Sequence, residues 1–142
     1  MKSDLAVIDT NILVSSLIGL TGYSRKIFDD LITTGKIKIC VSVAVFDEYT
    51  EVLQRDRFKK YPAFSDASTI LLDQIKKNGF WYEPKLTIDV LADKDDNKFS
   101  DCAFASNVHY LVTNDKHFNV LKSISFPSIN ILSLEEFKNL LS

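Results

Sequence analysis

Histidine and cysteine are scarce in this sequence, two of each in 142 residues, and their placement closes off several chemistries. His109 and His117 lie eight positions apart with no further His or Cys at zinc-ligand spacing, which argues against a structural zinc site. Cys40 and Cys102 sit inside the apolar runs KIKICVSVAVF and DCAFA, where a free thiol behaves as a small hydrophobe. A reducing, cytoplasmic compartment is therefore expected. Long hydrophobic stretches are missing as well. No run approaches the ~18 residues of a membrane span, and the start, MKSDLAVIDT, has too short an apolar core for an export signal. An excess of positive charge is also missing: 17 basic against 19 acidic residues leave a net charge of -2, which excludes a strongly basic nucleic-acid coat. It does not exclude an enzyme that handles phosphates, because metal ions held by clustered acids reverse the local sign for such a substrate. Nor is there a linker, a repeat or a low-complexity segment. With 46% hydrophobic residues the chain can build one ordinary core, and a single domain over 1–142 is expected.

What the sequence does contain is an alternation of strand and helix patterns. Residues 5–8 form a short apolar run suited to a strand buried on both faces of a parallel sheet, and the run stops at Asp9. Residues 10–17 carry Ile12, Leu13, Ser16 and Leu17 at helical spacing. Residues 24–32 repeat the pattern with Ile27, Phe28, Leu31 and Ile32, and Gly35 ends that helix. A second strand is expected at 37–41, followed by a helix that Ser42 caps and that carries Val45, Phe46, Tyr49, Val52 and Leu53. After Pro62, a helix marked by Ile70, Leu71 and Ile75 runs to the Asn78-Gly79 turn. A short strand at 80–82, an acidic connector at 89–96 and a helix carrying Phe99, Cys102, Ala103 and Ser106 come next. Strands at 110–112 and 129–132 flank a short helix at 116–121, and Ser133 with Glu136 forms a capping box for the last helix. This order predicts an α/β fold with right-handed crossovers, a central parallel sheet and helices on both faces. In such sheets the functional crevice lies beyond the carboxyl ends of the strands.

That rule makes the acids informative. Asp9 closes the first strand and Asp115 follows the 110–112 strand by three residues, so both project from one edge if these strands are parallel neighbours. Glu48, in the helix after the second strand, is long enough to reach back toward that edge. Asp96 opens the helix before the 110–112 strand, where unpaired N–H groups and the helix dipole favour a carboxylate. Four acids from four segments could thus meet, and carboxylates held this close repel one another unless a cation joins them. Oxygen-only ligation selects Mg2+ or Mn2+, which can activate water against a phosphodiester. Each acid also has a plainer reading. Asp9, Asp96 and Asp115 suit helix N-caps, Glu48 a solvated helix position, and Asp93 and Asp95 solvated loop charges. Only the combined spacing separates the two readings.

VIDTN at the first strand, the acid in the helix after the second, DKDDNKFSDCAFA and YLVTNDKHF together resemble the PIN-domain family. The similarity runs in order from residue 5 to about residue 140, and is strongest to the branch described as toxins of toxin–antitoxin systems. The resemblance implies a three-layer α/β/α sandwich around about five parallel strands, and a Mg2+- or Mn2+-dependent endoribonuclease acting on single-stranded RNA. It places Asp9, Glu48, Asp96 and Asp115 as catalytic and metal-binding residues, with Asn11 and Thr113 in support. A homodimer and a small antitoxin partner are further implications. Asp101 competes with Asp96 for the third position; spacing to Asp115 favours Asp96, which leaves Asp101 as an outer ligand or a surface residue. No basic run lies near the acids. Lys94, Lys98, Lys116 and His117 are the nearest groups for phosphate contacts, or else solvated charges.

Two other classes of protein compete for the same residues. Phosphatases of the dehalogenase type also place an aspartate after the first strand but need a second one two residues on, where this chain has Asn11, and the acid and lysine set of a receiver domain cannot be assembled. The other rival is a PIN-like module that binds RNA or protein without cutting it. The presence of all four acids argues against a decayed site but does not prove activity.

Overall fold

The computed structural model describes residues 4–18, 35, 37–61, 63–87, 89, 91–124 and 129–141. Strands β1 (Asp4–Ile8), β2 (Ile37–Val41), β3 (Phe80–Trp81), β4 (Tyr110–Val112) and β5 (Asn130–Leu132) form one sheet in the order β3-β2-β1-β4-β5. Every neighbouring pair is parallel. The helices are α1 (Thr10–Ile18), α2 (Val43–Leu53), α3 (Phe64–Asn78), α4 (Asn97–Ser106) and α5 (Leu134–Leu141), with 3-10 turns at Asp56–Phe58, Lys94–Asp96 and Lys116–Ser123. The helix expected over 24–32 lies outside the described residues. Gly35, which follows it, adopts φ +64°, a conformation that glycine enters without strain.

Successive strand residues point to opposite faces, so consecutive fully buried residues mean that both faces are covered. Ala6, Val7 and Ile8 in β1, Cys40 and Val41 in β2, and Leu111 and Val112 in β4 are all fully buried. The expected three-layer sandwich follows from this burial. Cys40 and Cys102 are free thiols in that core, and burial pushes them up to about 11 and about 12, far from thiolate chemistry at neutral pH. A second, smaller cluster of Val52, Leu53, Phe58 and Phe64 packs the far ends of α1, α2 and α3, with Phe58 stacked on Phe64 at 4.7 Å.

The caps behave as the local sequence predicts. Ser42 Oγ accepts from Val45 N–H at 3.2 Å, and Ser133 and Glu136 exchange side-chain-to-backbone bonds of 3.1 Å each. Two expectations shift in detail: residues 116–121 form a 3-10 turn that runs on to Ser123, and β3 is only two residues long. One tertiary bond ties a helix to the edge of the sheet. The hydroxyl of fully buried Tyr49, in α2, donates to the main-chain carbonyl of Ile8, which docks α2 against the carboxyl end of β1.

The chain lays β2 and β3 on one side of β1 and β4 and β5 on the other, so the crossovers reverse direction between β1 and β4. Their register pairs Ile8 with Val112, and Asp9 N–H extends the ladder to Val112 O at 2.9 Å. A crevice is expected at such a switch point.

Gly79 is set by close approach and not by its φ. A Cβ there would lie 2.5 Å from Ile75 O and 3.0 Å from Ile39 O, both main-chain atoms. Gly79→Ala should therefore cost about 2 kcal/mol and lower the Tm by roughly 5 °C in thermal denaturation. An unchanged Tm would refute that close packing.

Candidate functional site

Asp9 leaves β1 buried, with 6% of its surface exposed, and a carboxylate so placed needs donors. Thr113, one residue beyond β4, supplies one: its Oγ1 donates to Asp9 Oδ2 at 2.7 Å. The direction is fixed because Thr113 Oγ1 itself accepts from the main-chain N–H of Asp115 at 3.0 Å, leaving its own proton for Asp9. The main-chain N–H of Asn11 supplies a second donor, while the Asn11 side chain stands exposed. Burial still pushes the Asp9 carboxyl above its ordinary range. The bonds from Thr113 and Asn11 pull against burial, and the charges of Glu48 and Asp115 add to it.

Glu48 lies in the second turn of α2, half-buried, and both of its oxygens are engaged. Oε2 accepts from the hydroxyl of buried Thr10 in α1, and Oε1 meets Lys98 Nζ of α4 at 3.0 Å. Asp115 heads the 3-10 turn after β4 and accepts the His117 N–H at 2.9 Å through Oδ1. Asp96 occupies the N-cap position of α4 without making the side-chain cap that position offers. Its carboxyl is pushed up to about 6, first by burial, then by the charges of Asp93, Asp9, Asp115 and Glu48. Four acids from distant segments thus act on one another at the β1–β4 switch point.

Asp101, one turn further into α4, is buried and lines a different space, a groove of about 440 Å³ with Tyr82, Glu83, Lys85, Leu86 and Phe104. Among the residues read as phosphate contacts, Lys94, Lys116 and His117 are exposed, whereas Lys98 is drawn into the acids. The roles of Thr10 and of the Lys98–Glu48 pair escape sequence reasoning. Thr10 offers a weak signal, as the polar residue directly after Asp9.

An oxygen-only donor set of mutually repelling carboxylates fits a hard divalent cation, Mg2+ or Mn2+. Among the described residues, however, no three acidic, histidine or cysteine side chains converge closely enough to hold an ion as they stand. Asp9, Glu48 and Asp115 are each engaged by the local donors named above.

A doubly wound parallel sheet with acids gathered at its switch point defines a class of α/β domain in which the site, not the sheet, carries the chemistry. The chain belongs to the PIN-domain family, whose model matches residues 5–117, and PIN domains are in general nucleases. An uncharacterised protein of Methanocaldococcus jannaschii is 31% identical over 110 residues, spanning 78% of this chain and 70% of its own. Two crystal structures share the fold. VapBC2 from Rickettsia felis, bound to a promoter DNA fragment, superposes with a TM-score of 0.58 at 19% identity, over 91% of this chain and 98% of its own. PAE2754 from Pyrobaculum aerophilum gives 0.60 at 14% identity, over 99% and 98%.

The raised Asp96 gives a pH-dependent stability. Its folded pKa of about 6 exceeds the ordinary 3.8, so the folded chain holds this proton more tightly than the unfolded one. Stability from this group is present below about pH 4 and lost as pH rises through about 6. In chelator at pH 7, Asp96→Asn should therefore be more stable than wild type. Solvent screening at this half-buried group holds the gain to the order of 1 kcal/mol, about 3 °C in Tm. The gain should shrink toward zero near pH 4; a gain that persists there would contradict the electrostatic cause.

Proposed function

We propose that the chain is a divalent-metal-dependent endoribonuclease that hydrolyses phosphodiester bonds of single-stranded RNA. The observation that carries the proposal is the mutual electrostatic action of Asp9, Glu48, Asp96 and Asp115 at the switch point of a PIN-family sheet. Asp9, Glu48, Asp96 and Asp115 are the ligands in this reading, and Mg2+ or Mn2+ bound there supplies the positive charge that polarises water and phosphodiester.

The chain's own residues prepare the site. Thr113 orients the Asp9 carboxylate, and its charge-assisted bond works against the burial that raises the Asp9 pKa. Thr10 fixes Glu48 Oε2, and the main chain at His117 fixes Asp115 Oδ1. Glu48, Asp96 and Asp115 are half-buried, so the edge is open to solvent. An open edge suits a polymer laid across it better than a small molecule enclosed by it. Exposed Lys94 and Lys116, neighbours in sequence of Asp96 and Asp115, supply phosphate contacts in this reading.

The fold shared with VapBC2, a complex captured on promoter DNA, supports reading the chain as the toxin of a toxin–antitoxin pair. In that role it acts in the cytoplasm as a homodimer and is held in check by a small antitoxin. A second reading, a PIN-like module that binds RNA or protein without cutting, draws on one observation: the acids do not converge at ligand distance as they stand.

Asp9→Asn separates the two readings. It keeps the acceptor for Thr113 and removes a charge, so Mn2+-dependent cleavage of a mixed single-stranded RNA pool should fall at least ~100-fold with the fold retained. Unchanged cleavage would remove Asp9 from the mechanism. If the wild type binds no Mn2+ at millimolar concentration in calorimetry and leaves the RNA intact, the nuclease reading is lost to the binding module.

A further inference from the structure

We infer that Lys98 is a built-in counter-ion that occupies Glu48 in the metal-free protein and must be displaced for a divalent cation to bind. It thereby sets the metal concentration at which the site is completed. The inference rests on the reading of the acids as a metal site and adds a residue to it.

The Lys98–Glu48 pair differs from the other lysine and arginine pairs among the described residues. Its side chains are 25% and 23% exposed, against 43% and 61% for Arg55–Glu51, 74% and 90% for Lys59–Asp56, 68% and 51% for Lys77–Asp73, and 82% and 55% for Lys94–Asp89. Arg55–Glu51, Lys59–Asp56 and Lys77–Asp73 join neighbouring turns of chain, whereas Lys98 bridges α4 to α2. Shielded from water, its charge acts more strongly on Glu48 than a surface lysine would.

The pair also accounts for the present arrangement of the acids. Thr10 holds one oxygen of Glu48 and Lys98 the other, so each already has a donor, and among the described residues no three acids converge at ligand distance. An ammonium brings one charge and cannot draw four carboxylates to a point, as a divalent ion with six coordination positions can. It is also a point charge on a flexible stem, able to swing away without disturbing α4. Cation and lysine thus compete for the same Glu48 oxygen.

The test is calorimetric titration of Mn2+ into wild type, Lys98→Met, Lys98→Arg and Lys77→Met, the last making the same charge change on distant α3. Lys98→Met should bind Mn2+ about 3- to 10-fold tighter than wild type, Lys98→Arg no tighter, and Lys77→Met within about twofold. In a second measurement, Lys98→Met should have a lower Tm than wild type in chelator, and saturating Mn2+ should close the gap. Equal or weaker Mn2+ binding by Lys98→Met overturns the inference, as does equal tightening by Lys77→Met. If Lys98→Met does not fold, tighter binding by Lys98→Arg overturns it, and equal or weaker binding supports it. Wild type that binds no Mn2+ removes the metal reading and this inference with it. Wild type that binds while Lys98→Met is unchanged removes this inference alone.

Discussion

The parallel pairing of β1 with β4 is the constraint on which the site depends. Ile8 lies opposite Val112, so the next residues in each chain segment, Asp9 and Thr113, leave the sheet side by side. The ladder continues past the strands, through Asp9 N–H to Val112 O at 2.9 Å and Thr113 N–H to Leu132 O at 2.8 Å. Slipping this register by one residue would send every side chain to the opposite face and part Asp9 from the hydroxyl that holds it. Both faces of these strands are buried, so such a slip would also misfit the apolar side chains packed on each face. Packing in the core thereby enforces the geometry of a polar site at its rim. Tyr49 extends the same constraint to α2, because its hydroxyl takes the last carbonyl of β1 and so brings the turn carrying Glu48 to the edge.

Acids gathered in this way cost stability, and the chain limits the cost acid by acid. Asp9 has Thr113 and the Asn11 main chain, Glu48 has Thr10 and Lys98, and Asp115 has the His117 main chain. For Asp96 the cap bond open to its position is not made, and repulsion from four other acids adds to its burial. Its raised pKa is the residue of a conflict that local donors do not resolve. A neutral residue there would avoid this cost, and the carboxylate is accounted for on the reading of the four acids as one site, proposed above.

Most of the fold was legible because its signals are local. Short apolar runs such as 5–8 and 37–41 read directly as strands buried on both faces, and Ser42 and the Ser133–Glu136 box marked helix starts that the structure realises. Asp9 and Asp115 were legible as strand-end acids under one condition, that their strands be parallel neighbours, and β1 and β4 meet it. Between Asp96 and Asp101, spacing to Asp115 favoured Asp96 but could not fix the helix register. Asp96 sits at the N-cap among the acids, and Asp101 one turn on, beside residues 82–86. The Lys98–Glu48 pair was hidden for a different reason. It joins side chains of two helices 50 residues apart, and no periodicity within either helix announces it.

This hidden pair explains how one site can be well folded and yet not gathered around an ion. Removing one partner from a shielded ion pair leaves an uncompensated charge, so a Glu48 without Lys98 would press on Asp9 and Asp96 with only the Thr10 hydroxyl to soften it. On the metal reading proposed above, a divalent cation would offset all four acids and need no lysine. The two arrangements are therefore alternatives, built from the same Glu48 oxygen. Lys98 lies two residues beyond Asp96, the N-cap of α4, so on that reading the helix start that presents a ligand would also present the ligand's competitor.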